Sequence, residues 1–278
     1  MPTEDDYYPM VTFPAPAEVV LEIGGMDWLD RDRTRLAVCT RLGEVWVIDN
    51  VYARQPVLKK RQSEGSQQGL KRAGDQVLRF KRMLLGLHEP LGMLVDPGHG
   101  YPDGVYVAQR SELTRLDDTD GDDRIDVVET FCDDWEINGS YHEYAFGPKL
   151  GPDGQLWVTL NRPFSGGKEA AAYWRGWAVK VDQRGKMTPI CTGVRSPSGF
   201  ANSIDDEMFY TDNQGDYVAT GKLAHLRPGA FHGNPAGLNS LHLPGANFTL
   251  PFEGYPKLGM KWAEAVKVNP FTTKRTTR

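Results

Sequence analysis

The sequence predicts an all-β protein with the architecture of a β-propeller, and the main evidence is a short apolar strand that returns four times. The copies are Arg35–Thr40, Gly104–Gln109, Gln155–Leu160 and Glu207–Asp212, and their starting points are 69, 51 and 52 residues apart. Self-similar β units at such a period are typical of propeller blades. The chain also contains 30 Gly and 19 Pro among its 278 residues, which suits short strands joined by many turns.

A second apolar stretch precedes each copy, so every unit has at least two strands. These stretches are Gly25–Leu29, Leu91–Val95, Glu143–Gly147 and Ser198–Phe200. In the first unit a third strand is predicted at Glu44–Asp49. We therefore predict about four blades of a six-bladed type, and hence an incomplete array. Their approximate ranges are 21–58, 88–131, 142–190 and 193–230.

The blades together occupy residues 21–230. Residues 1–20 are predicted to be an extended, Pro-rich lead-in, and residues 231–278 an irregular C-terminal segment that includes a short helix at Met260–Val268. The basic stretch 59–82 interrupts the repeat. We interpret it as an insertion between blades, which is either a solvated loop or a basic docking loop.

Composition and charge exclude several classes of function. A net charge of −5 argues against nucleic acid as the main partner. No apolar run approaches the ~20 residues that span a bilayer. Cys39, Cys132 and Cys191 form no CxxC or CxxCH pattern, which argues against a zinc knuckle or covalently attached haem. The N-terminus lacks the basic-then-apolar order of a signal peptide, so either the protein is cytoplasmic or the chain starts after its signal.

An acidic loop has the spacing of a calcium site. Positions 1, 3, 5, 7, 9 and 12 of an EF-hand loop supply oxygen ligands. The residues at these positions are Asp118, Asp120, Asp122, Arg124, Asp126 and Glu129, with Arg124 offering only its backbone carbonyl. Asp123 replaces the usual Gly at position 6, and Asp tolerates a left-handed backbone better than most residues. The alternative is a solvated acidic turn, and a calcium ion bound here would have a structural role.

Two polar residues precede the inner strands of the third and fourth predicted blades, where loops converge on a propeller channel. They are His142 and Arg195. A His beside an Arg can take a proton from a hydroxyl while the Arg stabilises the charge that develops. For each residue taken alone, a structural role is the alternative. The Trp174–Trp177 stretch is either a stacking platform for a planar ring or a pair of core aromatics.

Seven stretches carry a resemblance to a known family. They are His88–Met93, Val107–Leu116, Tyr141–Pro148, Trp174–Lys180, Arg195–Pro197, Phe209–Gly215 and His225–Gly229. Together they resemble the soluble quinoprotein glucose/sorbosone dehydrogenase family, whose members are six-bladed propellers that use pyrroloquinoline quinone (PQQ) with calcium. The chain looks closest to the propeller module of large secreted bacterial proteins assigned as membrane-bound dehydrogenases.

The resemblance implies that a sugar or polyol hydroxyl is oxidised by hydride transfer to the quinone. His142 resembles the general base of the family. Arg195 resembles the residue that contacts the quinone carbonyls, although Ser196 follows it where the family has Asn. Cofactor contacts are also implied for Asn213, Gln214, Gly215 and Asp216, the last two at positions where backbone carbonyls hold the calcium of the cofactor. A cytochrome c-type electron acceptor and a periplasmic or extracellular location follow from the same resemblance.

Two other functions fit the sequence. A non-catalytic propeller could bind carbohydrate or protein, with calcium stabilising one loop. A lactonase-type propeller hydrolase would need a metal at the channel, held by Glu, Asn and Asp side chains. Turnover that depends on PQQ separates the dehydrogenase from both alternatives.

Overall fold

A computed structural model describes Tyr7 and residues 15–51, 78–163, 172–213 and 220–246 of the chain. Within these residues fifteen strands form four antiparallel sheets. The first sheet contains β1 (Ile23–Trp28), β2 (Arg35–Thr40), β3 (Glu44–Asp49) and β4 (Arg79–Leu85), in that order. Each strand pairs with the next along the chain, which is the meander of a propeller blade.

The other three sheets repeat this meander. The second contains β5 (Met93–Val95), β6 (Val105–Ala108), β7 (Leu113–Asp117) and β8 (Val127–Cys132). The third contains β9 (Ala145–Leu150), β10 (Leu156–Leu160), β11 (Trp177–Val181) and β12 (Met187–Thr192). The fourth contains β13 (Gly199–Asn202), β14 (Met208–Asp212) and β15 (Lys222–His225). The predicted all-β propeller with four blades is confirmed.

The basic stretch 59–82 does not lie between blades as predicted. Its last residues belong to β4, which pairs with β3 from Asp49↔Arg79 to Glu44↔Leu85. The interruption therefore falls inside the first blade, between its third and fourth strands. The pairing partner of β4 lies about 30 residues upstream, so sequence adjacency gave no signal for it. Residues 59–77, and with them the choice between a solvated and a docking loop, lie outside the described residues.

The first strands of the blades lie against one another around the axis, and glycines allow this approach. A Cβ on Gly25 of β1 would lie 2.5 Å from the Cα of Gly92, just before β5. A Cβ on Gly92 would in turn lie 2.2 Å from the carbonyl oxygen of Gly147 in β9. Only residues without a side chain permit such backbone contact. The polar side chain of Asp27 adds a bond, since its Oδ2 accepts the N–H of Val95 at 2.9 Å.

Three hydrophobic cores lie between blades, and a smaller one around Val38 belongs to the first blade alone. Blades 1 and 2 share one core through Ala37, Val47, Met93 and Val107, among others. Blades 2 and 3 share a larger core, and a third lies between blades 3 and 4. Each sheet thus buries at least one face against a neighbouring sheet, so the stability of one blade depends on the next. Cys39, Cys132 and Cys191 are all buried and free in these cores.

The stretch after the fourth blade continues as packed structure as far as residue 246. A 3₁₀ helix spans Pro235–Ser240. The indole N–H of Trp177 donates to the carbonyl of Gly237 at 2.6 Å, and the backbone N–H of Trp174 donates to the Ser240 hydroxyl at 2.7 Å. The predicted helix at 260–268 lies outside the described residues. No helix in the described part of the chain combines the length and apolarity needed to cross a membrane.

Candidate active site at the channel end of the blades

His142 lies on the loop between β8 and β9, immediately before the inner strand of the third blade. The buried carboxylate of Glu143 holds this loop, because its Oε2 accepts the N–H groups of Asn138 at 2.8 Å and Ser140 at 3.2 Å. The imidazole of His142 is half-buried and lies edge-on to the ring of Tyr141, with 5.1 Å between the ring centroids. The sequence placed His142 at the start of a blade, and the structure agrees.

Positive charge surrounds His142. Burial lowers its pKa from the ordinary value of 6.5, and the charges of Arg195, Arg110 and Arg162 lower it further. Both effects disfavour the imidazolium form. The imidazole is therefore neutral at pH 7 and able to accept a proton. Arg195 is therefore close enough to His142 for its charge to act on the imidazole.

A buried aspartate fixes the loop that carries Arg195. Asp212, at the end of β14, accepts the N–H of Arg195 at 3.0 Å and the N–H of Ser196 at 2.7 Å. Its side chain is only 1% exposed, and the ammonium group of Lys222 lies 3.7 Å away. Burial lowers the pKa of Lys222, while Asp212 acts in the opposite direction. Asp212 therefore determines where the backbone of residues 195 and 196 lies.

Arg41 and Arg110 were not predicted from the sequence, yet both are part of this site. Arg41 follows β2 and Arg110 follows β6. These are the second strands of their blades, and each pairs with the inner strand β1 or β5. The Nε of Arg110 lies 2.5 Å from Glu89, and its Cζ lies 4.8 Å from the centroid of the Tyr144 ring. Arg41 reaches the same carboxylate at 3.2 Å and the same ring at 5.9 Å. Two guanidinium groups therefore share one carboxylate, which leaves this cluster with a net positive charge.

A buried arginine ties the loops of this site together. The guanidinium of Arg175 donates to the carbonyls of Glu136 at 2.7 Å, Tyr144 at 2.9 Å and Arg110 at 2.7 Å. Burial lowers its pKa to about 10, against the opposing charge of Glu143. It still carries its charge at neutral pH. Its three bonds set the position of the backbone beside His142.

The neighbouring tryptophans do not form a ligand platform. Trp174 is 7% exposed and Trp177 is 1% exposed. Their rings meet edge to face with centroids 5.3 Å apart, inside the core between blades 2 and 3. Of the two readings open to the sequence, core packing is the one that the structure shows.

The acidic loop joins β7 to β8 on the outer part of the second blade. The carboxylate oxygens of Asp118, Asp120 and Asp126 lie within 4.8 Å of one another. Asp118 accepts the N–H groups of Gly121 at 3.0 Å, Asp122 at 3.1 Å and Asp123 at 2.8 Å. This local wrapping brings three of the predicted ligands together. Hydrogen bonds from Thr119 lower the pKa of Asp126, which keeps that carboxylate charged.

Two other predicted carboxylate ligands, Asp122 and Glu129, lie outside this group, and the backbone carbonyl predicted for Arg124 stays a prediction. Glu129 lies on β8 and pairs with Arg115 across the strands at 3.1 Å. Asp122 accepts the N–H of Arg124 at 2.8 Å, and the side chain of Arg124 is 75% exposed. Asp123 has a φ of +64°, the left-handed backbone that its position in the loop requires.

Contacts from the acidic loop run to the first blade rather than to His142. Asp123 forms an ion pair with Arg35 of β2, and Lys81 of β4 bonds to the carbonyl of Asp122. The N–H of Ile125 donates to the carbonyl of Met83 at 3.1 Å. The loop thus joins blade 2 to blade 1.

Of the predicted cofactor contacts, exposed Asn213 is described, whereas Gln214, Gly215 and Asp216 lie outside the described residues.

Residues 88–235 match the model of a protein family described as a domain of unknown function, DUF7133. The match covers more than half of the chain. The chain belongs to the DUF7133 family. No curated protein matches this DUF7133 chain.

Several solved structures resemble this DUF7133 chain. A Thermus thermophilus protein assigned as an oxidoreductase (glucose dehydrogenase) has 18% identity and a TM-score of 0.54, over 78% of this chain and 65% of its own length. Another glucose dehydrogenase has 15% identity and a TM-score of 0.49, over 83% and 70%. The PQQ domain of pyranose dehydrogenase from Coprinopsis cinerea has 13% identity and a TM-score of 0.48, over 74% and 48%.

The likeness to the Thermus protein supports the propeller fold. At 18% identity it supports the fold alone, and the DUF7133 chain spans about two thirds of that protein's length. What the chain does must therefore be argued from its own residues.

Proposed function

We propose that this chain is a PQQ- and calcium-dependent dehydrogenase-type propeller that oxidises a hydroxyl of an aldose or a sorbosone-type sugar. One observation carries the proposal. His142 lies just before the inner strand of the third blade, and its pKa is lowered by burial and by the charges of Arg195, Arg110 and Arg162. A neutral imidazole within a positive environment is suited to removing a proton from a hydroxyl.

The roles of the protein groups follow from this arrangement. His142 accepts the hydroxyl proton of the sugar, and the positive charge of Arg195 stabilises the negative charge that builds up on the sugar oxygen. Asp212 keeps the backbone of Arg195 in place through its two accepted N–H bonds. When bound, PQQ supplies an acceptor for the hydride that leaves the sugar carbon.

The charge of the site fits PQQ, which is a planar quinone with three carboxylates. Arg41 and Arg110 share the single carboxylate of Glu89. The charges that act on His142 all come from arginines. An anionic group would be stabilised beside such a cluster. Arg195 and Ser196 are the described residues that would hold it. Arg110 is buried against Glu89 and two backbone carbonyls and would contribute only its charge.

Calcium fits the acidic loop by the chemistry of the donors. Asp118, Asp120 and Asp126 offer hard carboxylate oxygens close together, which suits Ca²⁺. The contacts of this loop described above lead to blade 1. We therefore assign calcium at this loop a structural role in holding blade 2 against blade 1. The calcium on which turnover depends is a separate ion, the one that the resemblance implies beside the cofactor at Gly215 and Asp216. A cytochrome c-type electron acceptor and a periplasmic or extracellular location belong to the same proposal.

Reconstitution of the purified chain tests the proposal. PQQ and calcium are added together and singly, and dye reduction is measured with D-glucose, D-galactose, D-xylose and L-sorbosone. We expect turnover only when both are present, and its loss in His142→Gln, which keeps the size and polarity of the side chain. The matched control is His99→Gln, which changes a histidine on the β5–β6 connection, outside the site.

Other outcomes point to the alternative functions. Sugar binding without turnover would favour the non-catalytic propeller. Hydrolysis of a lactone without PQQ would favour the lactonase-type enzyme. In the described part of the chain, the one group of acidic, His or Cys side chains close enough to hold a metal is the outer loop. That position does not suit a lactonase metal at the channel.

A further inference from the structure

We infer that Tyr141 is the residue on which the sugar ring stacks, placing a pyranose beside His142. The inference rests on the proposed function, because it assigns a substrate contact to the same site. Tyr141 begins the Tyr141–Pro148 stretch, in which His142 is the proposed base.

Tyr141 is a large aromatic side chain that the fold leaves in solvent. It is 62% exposed, whereas the nearby Trp174 and Trp177 are at most 7% exposed. Exposing an aromatic ring forgoes the free energy that its burial would yield. Around His142 the described aromatic residues therefore separate into packed rings and one open ring. Tyr144, its neighbour on the same loop, is half-buried under Arg41 and Arg110.

Although exposed, the ring of Tyr141 is held in place. Its hydroxyl accepts a hydrogen bond from Arg41 at 3.4 Å. Its backbone carbonyl accepts a bond from Arg110, which also donates to the carbonyl of Ser140 at 3.1 Å. The ring meets Tyr144 edge to face at 5.9 Å, and the Cζ of Arg110 lies over the ring at 6.0 Å from its centroid. A ring fixed before the ligand arrives loses little conformational entropy on binding.

The position of the ring matches the requirement of the proposed reaction. The centroids of Tyr141 and His142 are 5.1 Å apart, with the two planes nearly perpendicular at 87°. A pyranose has an apolar face of C–H groups, which packs on an aromatic ring, and a rim of hydroxyls. When that face lies on Tyr141, the hydroxyl rim is left close to the imidazole. Tyr141 is thus a positioning and specificity residue, and the proton transfer belongs to His142.

The test separates the ring from its hydroxyl. Tyr141→Ala removes both, Tyr141→Phe removes the hydroxyl alone, and Leu223→Ala is a matched truncation of an exposed side chain on β15. Binding of D-glucose, D-galactose and D-xylose to the full chain is measured by saturation-transfer NMR without cofactor. KM, kcat and the PQQ titration midpoint are then measured with calcium present.

For the best-bound sugar we expect Tyr141→Ala to raise Kd and KM about tenfold and to change kcat less. Tyr141→Phe should stay within about threefold of the wild type, because the stacking face is intact. Leu223→Ala should have no effect, and the PQQ titration midpoint should be the same in all variants. Thermal melting of each variant checks that the fold is retained.

Three results would overturn the inference. They are unchanged sugar affinity in Tyr141→Ala, a weakened PQQ titration with unchanged KM, and no sugar binding to the wild type. The second would assign the ring to the quinone instead. If sugar binding depends on Tyr141 but no cofactor-dependent turnover occurs, the inference stands and the proposed dehydrogenase activity falls.

Discussion

The acidic loop and the His142 site differ in the sequence separation between the residues that form them. The loop is built within nine residues, where Asp118 accepts three backbone N–H groups of the same turn. The site around His142 combines Arg41, Arg110 and Arg195 from the other three blades. A local motif forms wherever its own turn can form. A site made from several blades exists only when the blades pack.

This difference separates the effects expected from mutations. Changes in the acidic loop should alter calcium binding and the junction of blades 1 and 2, while turnover continues. Changes at the channel end should alter turnover, with the loop intact. A loop variant that lowered turnover, or a variant at the His142 site that weakened calcium binding, would show that the two regions are coupled.

The largest effect is expected for His142→Gln. Loss of a general base lowers turnover by about 10²- to 10⁴-fold. The melting temperature should change little, because the imidazole is only half-buried and its neighbours remain. Steady-state dye reduction with PQQ and calcium measures turnover, and thermal unfolding measures the melting temperature. Calcium affinity equal to that of the wild type is the control for the loop.

Asp212→Ala should be the most destabilising of these substitutions. It removes the acceptor of two backbone N–H groups and leaves the half-buried Lys222 without the carboxylate 3.7 Å away. Breaking such a buried arrangement costs about 3 kcal/mol in the free energy of unfolding. Urea unfolding measures it, with Asp205→Ala on an exposed turn as control. A loss as small as that of the control would contradict the role given to Asp212.

Asp118→Ala should have a smaller effect that depends on calcium. Without calcium we expect a loss of about 1 kcal/mol in the free energy of unfolding, since the freed N–H groups can bond to water. With calcium at a hundredfold excess over Kd, the wild type gains about 2.7 kcal/mol, and the variant gains little. Calorimetric titration and melting with and without calcium measure both. Equal calcium affinity in the two proteins would refute the site.

The smallest effect is expected from a modest fall in pH. The pKa of His142 is lowered from its ordinary value of 6.5. The imidazole is neutral and active above its pKa, and it becomes protonated as the pH falls through that pKa. At pH 6.5 more than half of the imidazole is therefore neutral, and turnover should fall less than twofold from its plateau. The pH profile of kcat/KM measures this. An acid limb centred above pH 6.5 would show that Arg195 and Arg110 do not act on His142.

Features formed by residues close together in the sequence could be predicted, and features that depend on distant residues could not. The strands β1–β3 and the triad of Asp118, Asp120 and Asp126 follow from patterns within a few residues. Glu129 did not follow, because the register of β8 with β7 turns it towards Arg115. Strand β4 was missed because its partner β3 is distant in sequence.

At the channel end, the repeat located His142 and Arg195 because each precedes an inner strand. It did not reveal that Arg41 and Arg110 converge on Glu89. Each comes just after a second strand, so an arginine after the repeated strand was the available signal. Their shared partner depends on how neighbouring blades pack, which the sequence of one blade does not contain. Exposure likewise separated Tyr141 from the buried tryptophans only in the structure.

The most direct test is a side-by-side assay of His142→Gln and Asp118→Ala with PQQ, saturating calcium and the same aldose. We expect His142→Gln to lose at least about a hundredfold in turnover while its calcium-dependent rise in melting temperature is unchanged. Asp118→Ala should show the reverse, with turnover kept and the rise lost. Turnover retained in His142→Gln would contradict the claim that the channel end of the blades carries the chemistry.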